Sequence, residues 1–121
     1  MNEPEASMNS TTRNRFHVID IATEAAGLAI ALAIQVPAPL KSIADQLIRA
    51  ASSVPANLSE GSGRTGRDRL HHWRIAYAEA KEVDVHLRIL VASGAVKTLK
   101  AERAIDLFDQ VRAITWRLLH P

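Results

Sequence analysis

Cysteine is absent from this 121-residue chain, and aromatic residues make up only 4% of it. The missing cysteine excludes a disulfide framework, a thiolate nucleophile and a cysteine metal site. Hydrophobic residues still account for 47% of the sequence, so the core must be built from alanine, leucine, isoleucine and valine. Such small aliphatic side chains let helices approach closely. The length is that of one domain with a single core.

A large net charge is also missing, and residues 1–13 are not expected to be a targeting segment. The formal net charge is only +2, which argues for a polyanionic partner only if the charge is clustered or multiplied by assembly. Residues 1–13 are polar and lack apolar periodicity, which predicts a disordered N-terminal arm without the apolar centre of a secretion signal. The apolar run that follows is shorter than the roughly 20 residues of a membrane span. We therefore expect a cytoplasmic protein with no membrane partner.

Strand-like alternation is likewise lacking, whereas helical periodicity extends over residues 14–121. Four helices are predicted, over about residues 14–35, 40–61, 65–93 and 99–119. Asn14 is the expected N-cap of the first helix, and Pro37 stops it. Thr65 and Asp68 resemble a capping box at the start of the third helix. Short connections between such helices favour an all-α, up-down, antiparallel four-helix bundle.

More helical surface is apolar than one bundle needs. The first helix is apolar on every side from Ala25 to Ile34, although a surface helix of a monomer needs only one apolar stripe. The fourth helix has a core face of Ala104, Phe108, Val111 and Leu118. It spreads further apolar residues over its other sides, namely Ile105, Leu107, Ile114, Trp116 and Leu119. This surplus predicts a subunit interface, and the alternative is a first helix buried at the centre of the monomer.

The second helix and the glycine-rich corner after it organise the chain. The proline in this helix lacks an N–H and predicts a kink or a restart, and the glycines at 61 and 63 permit the left-handed geometry that ends a helix. We interpret six residues of this segment as structural, fixing the corner: Gln46, Arg49, Pro55, Asn57, Glu60 and Gly61. Glu60 is expected to pair with Arg64 or Arg49. Such pairing lowers the pKa of a carboxyl group and makes it a poor general base.

The run Gln46, Arg49-Ala50, Ser53 to Gly61 and Gly63-Arg64 resembles the signature of a bacterial family of four-helix-bundle proteins, the 23S rRNA-intervening sequence protein family. That family also includes the accessory variability determinant of diversity-generating retroelements, and the likeness extends from about residue 16 to residue 119. The resemblance implies a ring of antiparallel four-helix bundles, usually a homopentamer, with no known enzymatic activity and a role with nucleic acid. For the retroelement branch it also implies a nucleic-acid-handling partner such as a reverse transcriptase.

The densest charge in the chain follows the glycine-rich corner. The cluster comprises Arg64, Arg67, Arg69, Arg74, His71 and His72, with Trp73 among them and only Asp68 opposing. Guanidinium groups and the N–H groups of a helix start bind phosphates, and the ring side chains can stack on unpaired bases. A ring of five would repeat the cluster and carry a net charge of about +10. We therefore predict RNA or DNA binding, against the alternative of a solvated helix end in a purely structural assembly.

A catalytic interpretation of the same cluster is weaker. Arg67 and His72 have the spacing of the helical HEPN ribonuclease motif, in which an arginine and a histidine stabilise and protonate a scissile phosphate. That motif is short and frequent by chance. A di-iron bundle needs paired Glu-x-x-His motifs, which the chain lacks. Asp68 with His71 or His72, and Glu82 with His86, give two ligands each, which do not make a metal site. We expect no enzyme, metal or cofactor.

Overall fold

The computed structural model describes residues 10–121, with side chains for residue 13 and residues 15–121. Four α-helices make up most of this range: α1 (Ser10–Ala33), α2 (Lys41–Ser62), α3 (Gly66–Ala92) and α4 (Thr98–Leu119). One 3-10 turn, Ala38–Leu40, precedes α2. Residues 10–121 contain no β-strand, so the all-helical prediction with four helices is confirmed.

The helix starts differ in detail from the prediction. α1 begins at Ser10, so Asn14 lies inside the helix and is not its N-cap. Of the predicted arm, residues 1–9 lie outside the described residues, whereas residues 10–13 are helical. Thr65 is the N-cap of α3, but its side chain makes no capping hydrogen bond. The expected capping box is not formed, because Asp68 instead accepts a hydrogen bond of 2.9 Å from Arg64.

One hydrophobic core lies between the helices. α1 packs against α2 and α4, and α3 packs against the same two helices. The largest fully buried side chains of the core are leucines and Phe108. α1 contributes mainly alanines, which are fully or almost fully buried. Because alanine adds little thickness, it allows α1 to approach its neighbours at the short end of the usual 8–10 Å interaxial range. The low aromatic content is therefore consistent with closely packed helices.

The surplus apolar surface is distributed differently from the prediction. Within the apolar run the only large exposed side chain is Ile34, one residue after the end of α1, since the exposed Gly27 and Ala31 are small. Leu107 and Ile114 of α4 are buried in the core, contrary to prediction. α4 contacts both α1 and α3, so its buried sector covers two rows of side chains rather than one.

Large apolar side chains are exposed on three helices. They are Phe16 on α1, Ile34 immediately after the end of α1, Val85 and Ile89 on α3, and Leu99 and Trp116 on α4. The prediction had placed this surface chiefly on the first and last helices, and it had not included α3.

α1 also passes a simple test for a membrane span. By length and composition the stretch Arg15–Ala33 could cross a membrane, with a mean hydropathy of 1.5. The core helix of a globular protein can have the same length and composition. Five of the six alanines in this stretch are buried against the neighbouring helices, although only 39% of the stretch as a whole is buried.

Candidate nucleic-acid interface

The end of α2 and the beginning of α3 are joined by a three-residue turn, residues 63–65, and packed side by side. The backbone oxygen of Gly61 accepts a hydrogen bond from Nε of Arg69 at 3.2 Å. Further from the turn, Arg49 lies 3.5 Å from the carboxylate of Glu82. Rising residue numbers on α2 therefore face falling numbers on α3, and the basic cluster lies at the turn.

Gly61 is required for close approach rather than for a left-handed backbone. A Cβ atom at this position would lie 2.5 Å from Cδ1 of Trp73, which is closer than real atoms pack. The predicted left-handed geometry at the end of α2 is absent, since Gly63 caps the helix with φ −86°. The positive φ of +60° belongs instead to Gly66, at the start of α3. Gly61 thus leaves space for the ring of Trp73, and Gly66 has the positive φ at the turn between the two helices.

Trp73 cannot stack on a base, although the sequence placed it among the ring side chains that could. Its side chain is only 4% exposed, and Nε1 donates a 3.4 Å hydrogen bond to the backbone oxygen of Leu58. The ring is part of the core. It therefore holds α2 and α3 together at the corner.

Arg64 is largely neutralised by its neighbours. Its guanidinium lies 2.8 Å from the carboxylate of Glu60 and 2.9 Å from that of Asp68. Hydrogen bonds to these two carboxylates raise the pKa of Arg64 above its usual value, and the bond to Glu60 has the larger effect. The predicted Glu60–Arg64 pair is present, while the other expected partner, Arg49, contacts Glu82 instead. Arg64 therefore adds little net charge to the cluster.

Arg69 is half-buried and binds the end of α2. Besides its bond to Gly61, it donates a longer 3.5 Å hydrogen bond to the oxygen of Ser62. Its guanidinium also lies 5.6 Å from the ring centroid of Trp73. Cations at a helix C-terminus satisfy carbonyl groups that have no partner within the helix. We conclude that Arg69 stabilises the corner.

Arg15, on the first helix, brings another cation close to Arg69. Burial, and secondly the charge of Arg69, lower the pKa of Arg15. Its Nε is buried without a hydrogen-bond partner in the described part of the chain. The beginning of α1 therefore lies at the same end of the molecule as the α2–α3 turn.

His72 is also engaged within the protein. Its Nδ1 lies 3.0 Å from Oδ1 of Asn57, whose amide donates to the backbone oxygen of Ser53 at 3.0 Å. Because that amide oxygen can only accept, the contact is a hydrogen bond in the tautomer of His72 that has its proton on Nδ1. Arg67 is five residues earlier, which places the two side chains roughly 140° apart around the helix. This arrangement does not resemble a shared phosphate site.

Three members of the cluster remain exposed on one face of α3. Arg67, His71 and Arg74 are spaced by four and three residues, so they form a row along the helix. The side chains of Arg67 and Arg74 have no ion pair or hydrogen bond with any described residue, and the ring of His71 makes only an edge contact with the ring of His72. We call Arg67, His71 and Arg74 the arginine row.

The residues of α2 that we interpret as structural differ in how far they are exposed to solvent. Gln46, Arg49 and Glu60 are exposed rather than buried, and Asn57 is half-buried. α2 continues without a break through Pro55. Pro55 leaves the carbonyl of Ala51 without its usual donor. Ser52 and Asn57 do not hydrogen-bond to that carbonyl, since they donate to the oxygens of Arg49 and Ser53.

Charge is divided between two halves of the helix array. We define the turn end as residues 10–21, 52–79 and 109–121, and the opposite end as residues 22–51 and 80–108. The turn end contains eight of the eleven arginines and four of the five histidines, against five carboxylates. The opposite end contains all four lysines and three arginines, against six carboxylates. Excess positive charge at the turn end is thus carried by guanidinium groups.

Sequence reasoning missed a second part of the turn end, on α4. Trp116 is 49% exposed, and its ring stacks on that of His120 at a centroid distance of 4.2 Å. Arg74, at one end of the arginine row, lines the same hollow as this ring pair. The signal was present in the sequence, since the two rings are four residues apart on one helix face with Arg117 between them.

Metal ligands do not converge in the part of the chain that the structure describes. No group of three or more His, Cys, Asp or Glu side chains in these residues could hold a metal ion. Glu82 and His86 are in contact at 3.2 Å, but they are two ligands, and Arg49 shares the carboxylate.

Four helices around one core, with an arginine-rich end, define a small all-helical protein. The chain belongs to the 23S rRNA-intervening sequence protein family, whose sequence profile matches residues 14–117. This finding confirms the resemblance. No curated protein sequence matches the chain.

A solved structure supports the fold. The crystal structure, at 1.70 Å resolution, of a protein of unknown function from the S23 ribosomal protein family of Bacteroides thetaiotaomicron is similar with a TM-score of 0.81. The similarity covers 89% of this chain and 99% of the other, at 20% sequence identity. At that identity the likeness concerns the fold alone.

Proposed function

We propose that this protein is a non-enzymatic, self-assembling four-helix bundle that binds RNA or DNA through the arginine row. The observation that carries the proposal is the presence of Arg67 and Arg74 on one exposed helix face without carboxylate partners among the described residues. Arginine suits this role because its planar donor fork matches phosphate oxygens, and its charge does not titrate near neutral pH.

The surrounding charge supports the same site. Arg64 is compensated by two carboxylates, and Arg69 is used at the end of α2, so the effective cluster is smaller than the sequence indicates. Tight binding therefore depends more on repetition of the site in an assembly, because affinity for nucleic acid rises with the number of phosphates contacted. An assembly that repeats the arginine row around one rim would supply that number.

We propose an up-down, antiparallel bundle that assembles as a homopentameric ring. The opposed residue numbering of contacts between α2 and α3 supports the antiparallel order. The exposed Val85 and Ile89, one turn apart on α3, support contact between subunits. Five subunits of 13.2 kDa would have a mass of about 66 kDa. A cytoplasmic location and a nucleic-acid-handling protein partner belong to the same proposal.

The absence of catalysis is part of the proposal. The engagement of His72 by Asn57 and its angular separation from Arg67 argue against a ribonuclease. If the protein were such a nuclease, it would cleave RNA without metal, and His72→Ala would abolish cleavage. Intact RNA after incubation with the purified protein is the expected result.

The test is the salt dependence of binding to 20-nucleotide RNA and DNA, measured by fluorescence anisotropy after nuclease treatment and repurification. The variant Arg67→Gln with Arg74→Gln removes two exposed charges and leaves Arg69 in place. We expect weaker binding to every sequence and a salt slope smaller by about one for each arginine that contacts a phosphate. Light scattering on the same samples gives the subunit number.

The matched control is Lys97→Gln with Lys100→Gln, which removes the same charge from two exposed residues at the opposite end. We expect this control to bind nearly as the wild type does. Equal losses in both variants would assign binding to net charge and remove the arginine row as a site. Assembly without any salt-sensitive binding would favour the purely structural function.

A further inference from the structure

Trp116 is an unusual surface residue, since a half-exposed tryptophan leaves a large apolar ring in contact with water. It lies on the second half of α4, away from the buried row that includes Val111 and Leu118. The other tryptophan, Trp73, is buried. The two indoles therefore have different roles, and only that of Trp116 can be reached by a ligand.

The exposed ring is held in place by the C-cap residue of its own helix. His120 stacks on it with an interplanar angle of 22°, and Nδ1 of His120 lies 2.9 Å from the backbone oxygen of Trp116. These contacts fix the plane of the indole before any ligand arrives. A fixed aromatic plane binds a flat ligand with less loss of side-chain entropy than a mobile one.

Cationic side chains surround this plane. Trp116 and Tyr77 line two adjoining hollows between α3 and α4, one of which includes Arg74 and the other Arg117. Arg112 also lines the second hollow, where it is paired with Asp109. Neither Arg74 nor Arg117 has an ion pair or hydrogen bond with another side chain in the described residues. A flat ligand here would therefore meet two uncompensated positive charges.

Flat rings with negative charges at regular intervals are the chemistry of a single-stranded nucleic acid. A duplex offers its phosphates but keeps its bases stacked on one another, whereas an unpaired base can stack on an indole. Arg74 belongs to the arginine row and also borders the indole. A strand that follows the row thus reaches the tryptophan without leaving the positively charged face.

We propose that Trp116, with His120 beneath it, is a stacking site for an unpaired base of single-stranded RNA or DNA. This inference rests on the proposed function and adds a preference for single strands. Arg74 and Arg117 bind the flanking phosphates. The site does not read sequence, because every base has a face that can stack.

The experiment compares three 20-nucleotide probes at low salt: single-stranded oligo(dT), the oligo(dT)·oligo(dA) duplex, and an abasic strand that has phosphates but no bases. The wild type should bind oligo(dT) more tightly than either the duplex or the abasic strand, with quenching of tryptophan fluorescence. Trp116→Ala should weaken oligo(dT) binding by about 5- to 150-fold, the range for the loss of one stacking contact. Its affinity for the abasic strand should remain unchanged.

Leu99→Ala is the matched control, because it truncates another large exposed apolar side chain on the same helix, at the opposite end. It should bind all three probes as the wild type does. Trp116→Phe keeps a smaller ring and should recover part of the affinity for oligo(dT). Light scattering on every variant reports whether the assembly is intact.

Two results would overturn the inference while leaving the proposed function in place. One is equal affinity of the wild type for oligo(dT) and the abasic strand, which means binding by charge alone. The other is a Trp116→Ala variant that either retains full preference for oligo(dT) or loses its assembly mass, which would assign Trp116 to a contact between copies. Failure of the wild type to bind any probe would instead remove the proposed function itself.

Discussion

The two ends of the helix array are closed by different means. At the turn end, side chains from α3 hold α2: Trp73 fills the space that Gly61 leaves, and Arg69 binds the last carbonyls of α2. At the opposite end the backbone makes the turns, with Pro37 preceding the 3-10 turn and Gly94 adopting φ +82° after α3. Changes of side chain should therefore affect the turn end more.

The two ends also differ in the contacts that their basic side chains make. Arginines at the turn end divide into those engaged in the fold, such as Arg64 and Arg69, and those exposed in the arginine row. At the opposite end, Lys97 and Lys100 are exposed and Lys41 is paired with Asp45 at 2.9 Å. A count of basic residues overestimates the charge available to a ligand when the same residues also build the corner.

The largest effect is expected at Gly61. Gly61→Ala places a methyl group against the buried ring of Trp73, and the resulting overpacking should reduce the free energy of unfolding by about 1–3 kcal/mol despite the better helix propensity of alanine. Gly27→Ala is the contrasting change, since nothing lies within 4 Å of its added Cβ. It should stabilise the protein by about 0.5–1 kcal/mol. Urea denaturation measures both, and equal effects would contradict the close approach at the corner.

A smaller effect is expected when the two kinds of arginine are compared. Arg69→Gln removes hydrogen bonds from a cation to Gly61 and Ser62 and should destabilise the protein by about 1–2 kcal/mol. Arg67→Gln removes an exposed side chain and should change stability by less than about 0.5 kcal/mol. Urea midpoints on the two variants provide the measurement. Similar losses of stability in both would end the distinction between engaged and exposed arginines.

The smallest effect concerns Glu79. Burial, and secondly the charge of Glu82, raise the pKa of Glu79 above its ordinary value of 4.5, and one of its oxygens is buried without a hydrogen-bond partner in the described residues. The folded protein therefore keeps this proton to a higher pH than the unfolded chain, and the carboxyl group lowers stability as the pH rises above 4.5. Glu79→Gln should raise stability at pH 7 by up to about 0.5 kcal/mol.

The pH dependence gives this prediction its sign. The gain from Glu79→Gln should shrink as the pH falls and vanish below the pKa of the unfolded chain, where both states of the wild type are protonated. Glu102→Gln, at an exposed carboxylate of the opposite end, should show no such trend. A gain from Glu79→Gln that persists at pH 4 would point to packing rather than to charge.

Helical periodicity predicted the bodies of the four helices well, because each buries one continuous face. The start of α1 was wrong by four residues, since Ser10, Thr11 and Thr12 are N-cap residue types just as Asn14 is, and the pattern did not distinguish them. Residues 10–14 therefore form part of the helix.

The residue types of the candidate site were predictable from the sequence, but their burial and their contacts between helices were not. Spacing alone places Arg67 and Arg74 on one face, and the structure agrees. Whether Trp73 is buried depends on a glycine twelve residues earlier on another helix, which no local pattern reveals. The pair of Trp116 and His120 was visible as a four-residue spacing, yet its relation to Arg74 depends on how α3 packs against α4.

The segregation of lysine from arginine has a practical consequence for handling the molecule. Three of the four primary amines on its side chains, Lys41, Lys97 and Lys100, lie at or beside the connections of the opposite end. A sensor chip or bead coupled through these three amines would hold the protein by that end. The guanidinium-bearing surface would then point into solution, where a dissolved strand has unobstructed access.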